Sequence, residues 1–85
     1  MPNELTPEQR EQKLRRLSEI EKRVDMRLEM ITKRLENAKA NNFPQEQIDM
    51  IQNRLNLFLA KKDKIKNFNV DTDELMEIEM MRPFM

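Results

Sequence analysis

The sequence predicts an all-α fold: an antiparallel, coiled-coil-like two-helix hairpin followed by a short C-terminal helix. Three observations predict it. Apolar residues recur at steps of three, four and seven along two long stretches, and a single Asn-Asn-Phe-Pro break separates those stretches. The chain also contains no Gly, the residue on which tight β-hairpins rely for positive φ. At 85 residues it reads as one helical domain covering residues 1–85.

The first helix is expected over residues 7–40. Thr6 is placed to cap it, Pro7 suits the first helical position, and Gln9 completes a Thr-x-x-Gln capping box. Its seam is Leu14, Leu17, Val24, Leu28, Ile31, Leu35 and Ala38, with Glu21 interrupting one position and Ile20 taking over there. Glu11–Arg15, Glu19–Arg23 and Glu29–Lys33 are spaced i,i+4, the arrangement in which opposite charges meet on a helix surface.

Asn41-Asn42-Phe43-Pro44 is the turn, over residues 41–44. Asn tolerates the left-handed conformation that ends helices, and proline disfavours helix at the residue before it. Phe43 is expected to plug the apolar end of the hairpin. The second helix follows over about 44–68, with Ile48, Ile51, Leu55, Phe58 and Ile65 on its seam and Lys62 at the one polar position. So short a connection makes the helices antiparallel, and the first outreaches the second at its N-terminal end.

Residues 69–71 read as a linker and residues 72–82 as a short acidic helix. Asp71 is the expected cap with Glu74 three residues on, Val70 is placed to staple against Leu75, and Pro83 ends the segment.

Composition narrows function by exclusion. Cys and His are absent, which removes thiolate and imidazole metal ligands, the Glu-x-x-His di-metal pattern and disulfides. The one serine, Ser18, has no His to act as its base. Glu21, Asp25 and Glu29 share i,i+4 spacing but alternate with Lys22, Arg23 and Arg27, which describes a solvated ion-pair face better than a cation site. No enzyme activity, cofactor or metal is expected. The longest apolar run, Leu57–Ala60, is far too short for a membrane span, so no membrane association is expected and the cytoplasm is the expected location.

Charge is balanced overall, at sixteen bases and sixteen acids, yet unevenly placed. Residues 70–85 hold five of the acids and one base, which leaves the first 69 residues with fifteen bases against eleven acids. In an antiparallel hairpin, Lys61, Lys62, Lys64 and Lys66 fall beside Arg15, Arg16, Lys22, Arg23 and Arg27, at the end distal to the turn. Such a cluster can attract an anionic ligand, either nucleotide or nucleic acid, although no Tyr or Trp is present to stack on bases. The preferred expectation is that the acidic 72–82 segment docks on this basic end, in its own chain or a neighbour's.

Two helices bury one stripe each, and a core that small rarely suffices without staples. Apolar residues also lie off the seams, at Met26, Met30, Met50, Leu57 and Leu59. In the C-terminal segment Leu75, Met76, Ile78, Met80, Met81 and Phe84 are what a helix-in-groove ligand presents. With Met26, Met30, Met50 and Leu57 these form the expected partner-binding set.

The turn and early second helix, Asn42 to Leu59, resemble the small sporulation aspartyl-phosphate phosphatases, which are also short helical hairpins. Their Ser-Gln-x-Leu-Asp signature falls on Gln52-Asn53-Arg54-Leu55-Asn56, where Leu55 alone agrees, so the resemblance implies no activity here. A small, Gly-free, Met-rich chain also resembles bacteriophage accessory and virion proteins in composition, which would make the virion its location. The expected function is therefore non-enzymatic: a structural or adaptor protein that self-associates, as a homo-oligomer or within a larger assembly, and binds a protein partner. A binder of an anionic ligand at the basic distal end is the alternative.

Overall fold

The computed structural model describes residues 4–81. These residues form three helices in an elongated body of 57 × 20 × 16 Å: α1 (Pro7–Ala40), α2 (Gln45–Lys66) and α3 (Leu75–Glu79). The two long helices pack against each other as a hairpin.

α1 occupies the expected residues because its ends are chemically specified. The Thr6 hydroxyl accepts from the Gln9 amide at 3.1 Å, and the Thr6 amide donates to Gln9 Oε1 at 3.0 Å, so two orphan donors are satisfied at once. At the other end Asn41 Nδ2 donates to the Asn37 carbonyl, and Asn42 enters the left-handed region at φ 52°. The Phe43 amide then closes the turn onto the Ala38 carbonyl at 3.0 Å. Phe43 covers the turn end only in part, since 39% of it remains exposed.

α2 is shorter than expected at both ends. Pro44 is extended (φ −52°, ψ 141°) and caps the helix from outside, its carbonyl accepting from Gln47 and Ile48. At the C-terminal end Asn67 bonds back to the Asp63 carbonyl through both its amide and its Nδ2, which ends the helix at Lys66.

The seam is buried as a helical hairpin requires. Val24, Ile31, Leu35, Ala38 and Ile65 are buried, while Ile48, Ile51, Leu55 and Phe58 are half-buried. Leu14 departs from the expectation at 40% exposure, because α2 has already ended beside this overhanging part of α1. The two polar seam positions meet: Lys62 Nζ lies 3.0 Å from Glu21 and 2.7 Å from Asp25. Of the three i,i+4 pairs, Glu11–Arg15 (3.3 Å) and Glu29–Lys33 (3.4 Å) form; Glu19–Arg23 does not.

The third helix is much shorter than the expected 72–82, spanning five residues, and Asp71 is not its cap. Local side-chain bonds compete for this stretch. The Asn69 side chain accepts from the Asp71 amide, and the Asn69 amide donates to Asp73 Oδ2 at 2.8 Å. The Asn69 carbonyl takes the Thr72 and Asp73 amides as well. Asp71 points instead at Arg10, at 3.1 Å, and Glu74 is an N-cap without a side-chain bond. Pro83, the expected stop, lies outside the described residues.

Candidate interaction surface

The C-terminal segment packs on its own hairpin. Ile78 is 1% exposed, the most buried large side chain among the described residues, and shares a core with Val24 and Ile65. Leu17, Ile20, Leu28, Phe58 and Phe68 pack around those three. The acids on either side of Ile78 straddle the hairpin: Glu77 reaches Lys64 on α2 at 3.8 Å, and Glu79 reaches Arg16 on α1 at 3.5 Å. Upstream, Lys13 stands over the Phe68 ring at 5.6 Å and Arg10 holds Asp71, so the linker runs along the overhang of α1.

Much of the expected anion cluster is consequently engaged within the chain. Arg15 pairs with Glu11, Arg16 with Glu79, Lys64 with Glu77, and Lys62 with Glu21 and Asp25. Lys61 stands 5.1 Å over the Phe58 ring. The hydrogen bonds that Lys62 donates to Asp25 and then to Glu21, with the negative charge of both acids, hold its ammonium above its ordinary range, against a smaller opposing effect of desolvation. Lys22 and Lys66 make no ion pair among the described residues.

Arg23 and Arg27, the remaining members of that cluster, belong to a different feature. Together with Arg34 and Arg54 they border a groove of about 540 Å³ between α1 and α2, which begins beside Ile78 and Glu79. Its apolar walls come from Ile20, Val24, Ile31 and Phe58, with Met30 on the rim. A second hollow of about 430 Å³ shares Ile31, Arg34 and Arg54 and continues to Phe43, Met50 and Ile51 near the turn. None of the four arginines makes an ion pair or hydrogen bond among the described residues, and all four are exposed. Arg34 and Arg54 fell outside the expected cluster because both lie toward the turn, away from the basic distal end; the signal was the recurrence of Arg23, Arg27 and Arg34 at helical spacing.

The expected partner-binding residues divide into three groups. Met26, Met30, Met50, Met76 and Met80 are exposed, at 56–69%. Leu57, Leu75 and Met81 are half-buried, whereas Ile78 faces the core and offers no surface to a partner. Phe84 lies outside the described residues. Met30 lines the arginine-bordered groove and Met50 lines its continuation, whereas Met26, one turn before Met30 on α1, lines neither.

No group of three or more His, Cys, Asp or Glu among the described residues is placed to share a metal ion. No helix among them is long and apolar enough to cross a membrane. No protein-family model matches the chain, and neither the curated proteins nor the solved structures give a match.

Proposed function

We propose that this protein is a non-enzymatic structural or adaptor protein, which self-associates through its hairpin and binds other protein chains by helix-to-helix contact. The observation that carries this reading is the apolar surface left after the chain has folded on itself. Met26, Met30, Met50, Leu59, Met76 and Met80 are each at least 50% exposed. Most are methionine, whose unbranched, polarisable side chain adapts to irregular partner surfaces. The buried core, by contrast, comprises seven apolar residues among those described, little for a body 57 Å long. Further burial against another chain would supply what the hairpin lacks.

Light scattering and thermal melting over a dilution series test this reading. A mass above that of one chain, with a melting temperature that falls on dilution, is the expected result. A dilution-independent melt of a single chain overturns the self-association. Replacing Met26, Met30 and Met50 together by Gln should lower the mass or weaken capture of the native partner without lowering the melting temperature of the separated chain.

The alternative, an anionic ligand at the distal end, has less unspent charge to work with. Arg16 and Lys64 already hold acids of α3, and a phosphate would have to displace them. Binding of a labelled nucleotide that falls steeply with salt would favour it.

A further inference from the structure

The groove between α1 and α2 has a built-in example of its ligand. α3 seats the run Glu77-Ile78-Glu79 across the distal part of the hairpin, with Ile78 down into the core, Glu77 on a base of α2 and Glu79 on a base of α1. Beyond the end of α3 the same arrangement of surfaces continues toward the turn. The floor is apolar, Arg23, Arg27 and Arg34 stand on the α1 bank, and Arg54 stands on the α2 bank. No acid of the described chain forms an ion pair with any of these four arginines.

We propose that this continuation of the groove binds an acidic amphipathic helix from a partner protein, one with an apolar stripe flanked on both sides by Asp or Glu. The inference rests on the adaptor reading above and names the chemistry of its partner. Three features of the groove select this occupant. Its walls demand apolar side chains, so a free nucleotide or a nucleic-acid backbone leaves Ile31, Phe58 and Met30 uncovered, and no Tyr or Trp is available for base stacking. Its rim demands negative charge on both banks. A second copy of the same groove would place arginines against arginines, which disfavours a symmetric groove-to-groove dimer.

Size agrees with a helix as well. Arg23 to Arg34 spans about 16 Å of α1, which a partner helix of about three turns covers. Rim arginines of this kind act mainly on the encounter rate and on the choice of partner, while the apolar floor and the methionines retain the bound helix.

The test uses two labelled peptides, each an amphipathic helix of about sixteen residues with the same Leu/Met stripe. One carries Glu on both flanks and the other carries Lys. In fluorescence anisotropy at low salt, the full chain should bind the Glu peptide and not the Lys peptide, and binding should weaken as salt rises. The double variant Arg27→Glu, Arg34→Glu should lose about ten-fold or more of the affinity for the Glu peptide and gain affinity for the Lys peptide. Its melting curve should be unchanged, because neither arginine is paired in the fold. Equal binding of both peptides, or a Glu-peptide affinity indifferent to the double variant, overturns the proposal. A single-stranded oligonucleotide that binds more tightly than the Glu peptide and depends on the same arginines overturns it in favour of nucleic acid. If neither peptide binds while the methionine variants still alter mass or partner capture, the adaptor reading stands and the groove assignment falls.

Discussion

The two halves of the hairpin are built from the same kind of seam but completed differently. In the distal half, α3 and the preceding linker add a third layer, and Ile78 closes a core with Val24 and Ile65. Charges there are settled across the chain by Arg10–Asp71, Arg16–Glu79 and Lys64–Glu77. In the half nearest the turn, Ile31, Leu35 and Ala38 are buried between two helices alone, and Arg34 and Arg54 face outward without acids. The difference teaches that the chain itself covers the hairpin's apolar face at one end and leaves it open toward the other.

Replacing Ile78 by Ala is the strongest way to break that contrast. The loss of a fully buried side chain should cost about 2–4 kcal/mol in urea unfolding. Hydrogen exchange should rise first in α3 and around Val24 and Ile65; equal loss of protection near the turn would mean that the halves are one cooperative unit. Asn42→Val probes the other end. Forcing a β-branched residue into φ 52° should cost about 1–2 kcal/mol, whereas Asn42→Gly should be close to neutral.

Thr6→Ala removes one arm of the capping box and should cost about 1 kcal/mol, visible as earlier fraying of the first turn of α1. Glu79→Gln should be milder still, below about 1 kcal/mol, because both partners of its bridge to Arg16 are largely exposed. The remaining effect should also fade at high salt.

The smallest effect concerns Lys62. Its pKa is raised in the fold, so its ion pairs contribute fully below the ordinary value of 10.5 and are lost as pH climbs through the raised value. Melting temperature should therefore fall slightly more in the wild type than in Lys62→Met across that alkaline range. Identical alkaline profiles would show that the pair contributes nothing to stability.

Legibility in the sequence followed how local each determinant is. The bounds of α1 could be read from Thr6, Pro7, Gln9 and the Asn pair, because capping and turn chemistry act within a few residues. The end of α2 and the length of α3 could not. There the Asn67, Asn69 and Asp73 side chains bond the nearby backbone and displace helix, a competition that apolar spacing does not reveal.

Tertiary pairing was the second barrier. Glu21 and Lys62 were each visible as breaks in a seam, yet their meeting depends on the register of the hairpin. The basic distal end was legible as composition. Which bases remain unanswered depends on where Glu77, Glu79, Glu21 and Asp25 fall, so the groove arginines emerge only after that subtraction. For the same reason the acidic, Met-rich run contains both the most buried side chain, Ile78, and exposed neighbours at Met76 and Met80.

The contacts of Lys62 with two acids at once also bear on how the helices are aligned. Glu21 and Asp25 stand one turn apart on α1, so a slip of one helix past the other by a turn, about 5.4 Å, would leave the ammonium beside at most one of them. The register in which both acids share one ammonium is therefore favoured, by the modest margin that partly exposed charges allow.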